Sequence, residues 1–237
     1  CLVPGEMELI QAQGSLAVII DVLRASTTMV TALANGAARV IPLKDIEEAR
    51  ARHAQEPELL LGGERNAYPP PGFDLGNSPR EYTREKVAGR GVIMTTTNGT
   101  AALEAARSGG ASTIIVGALT NRQAVVDFCQ DTTAPLLLVC AGCHGRFSLE
   151  DALCAGAIIA GLGPDVHLSD AARTCLILYQ SWGPQGLATQ IASSEHGQRL
   201  QSKGYGGDID LAIALDVSSV VPIYRDGEIR MFESATA

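Results

Sequence analysis

The chain has 237 residues, 46% of them hydrophobic and 19% charged, which excludes global disorder and can fill one large domain over residues 1–237. Eighteen basic against 26 acidic residues give a net charge of −8, and no basic run occurs, so nucleic acid is excluded as a natural partner. No window holds the roughly 18 uninterrupted apolar residues that a membrane span needs.

The opening Cys1-Leu-Val-Pro-Gly has neither the basic nor the apolar region of a signal peptide. Six cysteines at no regular spacing suit reduced thiols, so a cytoplasmic protein is expected. The pattern is compatible with a homodimer.

The first unit begins Ala17-Val-Ile-Ile-Asp21-Val-Leu-Arg24-Ala-Ser26-Thr27-Thr28 and runs through an Ala-rich stretch to Gly36 and Val40-Ile41. It reads as a strand, a polar elbow, a helix stopped by glycine, and a second strand. Asp45 predicts the cap of a helix through Ile46-Glu47-Glu48-Ala49-Arg50. Residues 62–79, from Gly62-Gly63-Glu64-Arg65 to Asn77-Ser78-Pro79, are too rich in Gly and Pro for regular structure and too long for an idle link.

Gly91-Val-Ile-Met-Thr95 then opens a second strand–elbow–helix–strand unit, its elbow being Thr96-Thr97-Asn98-Gly99-Thr100. At an offset of 74 residues Val18-Ile19 falls on Val92-Ile93, Gly36-Ala37 on Gly110-Ala111 and Val40-Ile41 on Ile114-Ile115. A βαβ unit over about 17–52 is thus written again over about 91–128. Asn121 predicts the cap of a helix from Arg122 to Phe128, and Leu136–Cys140 a further strand. Ser148 predicts another cap, with Glu150 and Asp151 in the first turn of a buried helix through Ala152–Gly163. Residues 183–207 read as helix plus loop, 208–216 as a helix, and 220–224 with 229–232 as a hairpin turning at Arg225-Asp226-Gly227-Glu228. The alternation predicts an α/β fold, a three-layer α/β/α sandwich with a mixed sheet. All three polar elbows are expected at one sheet edge, beyond the carboxyl ends of the strands.

The elbows carry the chemistry. Helix N-termini with small hydroxyl residues (Ser26, Thr27, Thr97, Asn98, Gly99) offer backbone N–H groups to an anion, and Arg24, Arg65 and Arg146 could clamp it. Asp21, Glu64, Asp74, Glu150 and Asp151 are oxygen donors of the kind Mg²⁺ prefers. Together these suit attack on a phosphate ester, where charge develops on phosphoryl oxygens. The plainer alternatives are helix capping by Ser26, Thr27 and Ser148, and a structural ion pair of Asp21 with Arg24 or Arg65. No G-x-G-x-x-G follows a strand, and neither a P-loop nor a G-x-S-x-G elbow occurs. Cys140-Ala-Gly-Cys143-His144 fits the haem-attachment spacing but ends a buried strand, and strand-end thiols are the simpler reading.

At these residues the sequence resembles the 2-phosphosulfolactate phosphatase (ComB) family. The matching blocks are Asp21-Val-Leu-Arg24-Ala-Ser-Thr-Thr28, Gly63-Glu64-Arg65, Gly72-Phe-Asp74-Leu-Gly-Asn77-Ser78-Pro79, Thr95-Thr-Thr-Asn98-Gly99-Thr100 and Gly145-Arg146-Phe-Ser148-Leu-Glu150-Asp151. They follow one another in family order. The chain departs from the family pattern at Cys143-His144, where a small residue and a polar one are expected. The resemblance implies a Mg²⁺-dependent phosphatase that converts a small anionic phosphate ester, 2-phospho-3-sulfolactate, to 3-sulfolactate and phosphate, as in coenzyme M biosynthesis. It implies catalysis by Asp21, Arg24, Glu64 and Arg146, and metal on Asp21 and Glu64 with help from Glu150 or Asp151. Substrate would lie against Arg24, Ser26, Thr27, Arg65, Asn77, Ser78, Thr97, Asn98, Gly99 and Arg146. Leu23 stands where a D-x-D nucleophile motif needs its second Asp, which favours direct attack by water over an aspartyl-phosphate. The alternatives are a phosphatase of another small phosphorylated acid, or a non-catalytic anion-binding protein.

Overall fold

Short runs of Val, Ile and Leu form the strands, as their branched side chains favour extended backbone. The computed structural model describes residues 1–9 and 12–233. Strands β1 (Leu16–Ile20), β2 (Arg39–Leu43), β3 (Leu60–Gly63), β4 (Gly91–Thr95), β5 (Thr113–Gly117), β6 (Leu136–Cys140), β7 (Pro222–Arg225) and β8 (Glu228–Met231) make one sheet in the order β3-β4-β2-β8-β7-β5-β1-β6. The helices are α1 (Ala25–Ala34), α2 (Ile46–Gln55), α3 (Arg84–Val87), α4 (Gly99–Ser108), α5 (Arg122–Gln130), α6 (Leu149–Leu162), α7 (Asp170–Ser193), α8 (Glu195–Ser202) and α9 (Gly206–Ala212).

The sheet is mixed and helices cover both faces. It consists of two parallel triplets, β3-β4-β2 and β5-β1-β6, joined by the antiparallel hairpin β7-β8. The hairpin turns at Asp226-Gly227, both at positive φ (51° and 86°), the backbone of a two-residue primed turn. Because β2–β8, β8–β7 and β7–β5 are all antiparallel, the triplets run in opposite directions.

This corrects the expectation of one common sheet edge. In a flat sheet the ends of β1 and β4 would lie five strand intervals apart and at opposite edges. Strand twist of about 20–25° per interval accumulates to more than 100° over that distance, and the sheet curls around α1 and α4. One core shows it: Ala17 and Ile19 of β1, Val92 and Met94 of β4, Ala32 and Leu33 of α1, and Ala102 and Ala106 of α4 pack in a single buried cluster. A second cluster lies under α5, α6 and α7 on the outer face of the β5-β1-β6 triplet, and a small third one joins β2, β3 and β4 to α2.

Local details depart from the sequence reading in three places. Asp45 caps α2 as expected, its carboxylate accepting from the Glu47 and Glu48 amides. Asn121 does not cap α5; its side chain binds the Ala118 amide and the Val116 and Val220 carbonyls instead, fastening the loop before α5 to the chain before β7. Ser148 sits at the N-cap of α6 without a capping hydrogen bond. The predicted helix over 208–216 is realised as the shorter α9, and most of the 183–207 segment is helical, in α7 and α8.

Candidate active site

The sequence places Asp21 directly after β1, Glu64 directly after β3 and the Thr96–Asn98 elbow after β4, so chain connectivity alone sets them at strand ends. The curl then brings them to one pocket, lined among others by Asp21, Arg24, Glu64, Asn77, Thr96, Thr97 and Asn98. The N-termini of α1 and α4 abut there. A Cβ on Gly99 would stand 3.0 Å from the Ala25 Cβ and 3.1 Å from Asp21 Oδ2, so glycine is what allows the two elbows to meet. Ala25 and Gly99 are also equivalent under the 74-residue offset of the sequence.

Asp21 is 5% exposed. Its Oδ1 accepts from the Ala25 amide at 3.4 Å, and its own amide donates to Ser26 Oγ at 2.9 Å. Burial raises its pKa from 3.8 to about 6, against the pull of His196 and the Ala25 N–H, with Glu64 and Glu150 adding to the rise. Glu64 behaves oppositely. Burial opposes its ionisation, but hydrogen bonds from the Ala67 amide (2.8 Å) and from the Thr97 hydroxyl and amide (2.7 and 3.1 Å), with the charge of Arg24, hold it below the usual carboxylate range.

Arg24 lines the pocket, yet its charge is already matched. Its guanidinium donates to Asp208 Oδ2 at 2.9 Å and to the Ala67 carbonyl at 2.8 Å, and lies 4.3 Å from the centre of the Tyr205 ring. Ser78 donates to the other Asp208 oxygen at 2.6 Å, which makes Ser78 a support for Arg24. Neither Asp21–Arg24 nor Asp21–Arg65 forms an ion pair. Asn77 is buried in the pocket wall and its side-chain oxygen has no partner among the described residues.

Ser26, Thr27, Arg65, Arg146 and Asp151, like Ser78, Gly99 and Glu150, are not among the residues that line the pocket. Ser26 Oγ and Thr27 Oγ1 turn back onto the Ile19 and Val22 carbonyls, holding the β1–α1 elbow from within. Arg65 donates to the Glu64 and Lys44 carbonyls, in a turn pinned by the Arg65–Tyr68 bridge. Arg146 is not brought to the pocket: the tight 142–146 turn sets the exposed His144 at the pocket rim and leaves the Arg146 side chain 76% exposed, 3.5 Å from Glu195. Asp151 is buried and gives Oδ1 to the Val22 amide (2.8 Å) and Oδ2 to the Gly142 amide (3.0 Å), stapling the first elbow to the third. Burial, with Asp21 and Glu150 nearby, raises its pKa well above the ordinary value.

Sequence reasoning missed one wall entirely. His196, Arg199, Leu200 and Lys203 line the pocket from α8 and its C-cap. Their spacing (i, i+3, i+4, i+7) after Ser194, which caps α8 through the Gly197 amide at 3.0 Å, is a helix-face signal. His196 Nδ1 is 2.8 Å from Glu150 Oε1, so Glu150 serves the imidazole, and its other oxygen is buried without a partner among the described residues. His144, whose amide donates to Asn98 Oδ1 at 3.1 Å, completes the opposite rim. Among the described residues no three His, Cys, Asp or Glu side chains are gathered as a metal-binding cluster. What the pocket does offer a cation is two carboxylates, Asp21 and Glu64, the sparse oxygen set that Mg²⁺ takes when substrate oxygens and water fill the rest.

An α/β scaffold that gathers two helix N-termini, two carboxylates and cationic side chains around one pocket has the parts of an anion-handling enzyme. Comparison with known families agrees. The family described as 2-phosphosulpholactate phosphatase matches residues 1–227. A relative from Thermotoga petrophila, named probable 2-phosphosulfolactate phosphatase, is 44% identical over 212 residues, 89% of each chain. Relatives of the same name from Symbiobacterium thermophilum (40% identical, 93% of this chain and 95% of the other) and Clostridium beijerinckii (37%, 92% of each) extend the match. The chain belongs to the 2-phosphosulfolactate phosphatase family, whose named activity is phosphoric monoester hydrolysis. No helix among the described residues is long and apolar enough to cross a membrane.

Proposed function

We propose that the protein hydrolyses 2-phospho-3-sulfolactate to 3-sulfolactate and inorganic phosphate, with Mg²⁺ as cofactor, in the manner of coenzyme M biosynthesis. The observation that carries this reading is the convergence of Asp21 and Glu64, 43 positions apart in the chain, on the pocket where the N-termini of α1 and α4 meet. Asp21 and Glu64 would hold Mg²⁺, which supplies a hard positive charge to phosphoryl oxygens. The Asn98 and Gly99 amides of the α4 elbow, which have no protein acceptor among the described residues, would turn to the same oxygens, the Thr97 amide and hydroxyl being taken by Glu64. Water attacks phosphorus and releases a proton, the bond from phosphorus to the bridging ester oxygen breaks, and the departing alkoxide takes up a proton, so that none is gained or lost overall. His196 stands in the pocket wall with Nδ1 held by Glu150, leaving Nε2 to exchange that proton. All six cysteines are unpaired and four are buried, which fits a reducing compartment, and we place the reaction in the cytoplasm.

The direct test measures phosphate release from 2-phosphosulfolactate and from a panel of sugar phosphates, with Mg²⁺ and with EDTA. Turnover of the sulfolactate ester that EDTA abolishes and Mg²⁺ restores is the expected outcome. Strong preference for a sugar phosphate would overturn the substrate, and absence of turnover on every monoester would leave an anion-binding protein.

A further inference from the structure

The substrate proposed above carries a sulfonate besides its phosphate and carboxylate, and the elbows account for the phosphate alone. Carboxylate and phosphate share one carbon and approach the elbows together, whereas the sulfonate sits one carbon further along. A sulfonate stays ionised and is a poor ligand for Mg²⁺, so it calls for fixed cations.

The charge pattern of the pocket shows where such cations are. Arg24 is neutralised by Asp208. Arg65 and Arg146 lie outside the pocket. Arg199 and Lys203 line it, and among the described residues neither has a carboxylate within ion-pair distance. Arg199 is only half committed: Nη2 donates to Cys143 Sγ at 3.0 Å, and the other guanidinium donors have no protein partner among the described residues. Lys203 bonds the Asn66 carbonyl and lies 5.1 Å from the centre of the Tyr68 ring, contacts that place the ammonium without cancelling its charge. Cations near a helix C-terminus are favourable on the helix dipole alone. That explains their sign but not their direction, since Gln198, Gln201 and Ser202 of the same turns face away from the pocket.

We propose that this face of α8 is the specificity wall of the site, with Arg199 and Lys203 binding the substrate's sulfonate. The assignment rests on the reading of the reaction above and deepens it. Arg199 supplies paired, fork-shaped donors that match two sulfonate oxygens, and Lys203 adds a point charge beside it.

The test crosses enzyme changes with a substrate change. Wild type, Arg199→Gln and Lys203→Met are assayed on 2-phosphosulfolactate and on 2-phospholactate, in which hydrogen replaces the sulfonate. Charge-assisted hydrogen bonds of this kind should make each variant's loss of kcat/KM about 10- to 100-fold larger on the sulfonated ester, chiefly through KM. Arg199→Lys should recover part of that difference, and circular dichroism should show the native fold in every variant. Equal losses on both esters, with wild type active on both, would overturn the α8 assignment and leave the reaction standing. A wild type that cleaves neither would overturn the reaction, and the wall with it.

Discussion

Asp21 sits at the end of Val-Ile-Ile with no cation of its own, and its pKa is raised from 3.8 to about 6, chiefly by burial. A carboxyl whose native pKa lies above its unfolded value contributes stability in full below the unfolded pKa and forfeits it as pH rises through about 6. The difference of roughly two units corresponds to about 3 kcal/mol. In EDTA at pH 8, Asp21→Asn should therefore be more stable than wild type by about 1–3 kcal/mol, and the advantage should vanish near pH 4. Added Mg²⁺ should raise the melting temperature of wild type and not of the variant, which should also lack phosphatase activity. Melting curves across pH check each part, and an Asp21→Asn protein less stable than wild type at pH 8 would contradict the account. The oddity of Asp21 was visible in sequence, because a charged residue closing an apolar strand has few harmless explanations. The fate of Arg24 was not: its partner Asp208 lies 184 positions away, and nothing local announces the pairing.

At the scale of elements, the site depends on two helices meeting end to end. Gly99→Ala adds a methyl that would stand 3.0 Å from the Ala25 Cβ and 3.1 Å from Asp21 Oδ2. Alanine is the better helix former, so stability should change by only about 1 kcal/mol. The methyl displaces the Asp21 carboxylate or spreads the two N-termini, and kcat/KM should fall about 10- to 100-fold, as misplacements of this size do. Wild-type kcat/KM in Gly99→Ala would show that the close approach is dispensable. The strand–elbow–helix pattern, the Asp45 cap and the β7-β8 turn were legible because each is fixed by a few adjacent residues. The α8 wall was obscured by its polar composition, with one buried leucine between charged and amide side chains, which gives apolar periodicity little to register. Arg146 was misplaced because sequence shows that a turn is present, not which of its residues borders the pocket.

Two runs of like element order, β1-α1-β2-α2-β3 and β4-α4-β5-α5-β6, supply six of the eight strands, and the 74-residue offset seen in the sequence does not announce how the two runs join. No two strands within either unit pair with each other. All four parallel ladders, β1–β5, β1–β6, β2–β4 and β3–β4, link a strand of one unit to a strand of the other, and the C-terminal hairpin closes the seam between β2 and β5. Such interlocking forces the curl that brings the elbows together, so the site exists only in the complete assembly. Fragment 1–90 has strands with no partners and an inner core missing α4, β4 and β5, and alone it cannot satisfy its backbone or bury its apolar face. It should be unfolded or aggregated, with poorly dispersed amide resonances. Mixed during refolding with fragment 91–237, it should regain a cooperative melt and phosphatase activity together, since the same ladders create both. These long-range pairings should also make the intact chain fold slowly for its size. A sharply melting, monomeric fragment 1–90 would mean that the units are independent and that the elbows meet for some reason other than the exchange of strands between them.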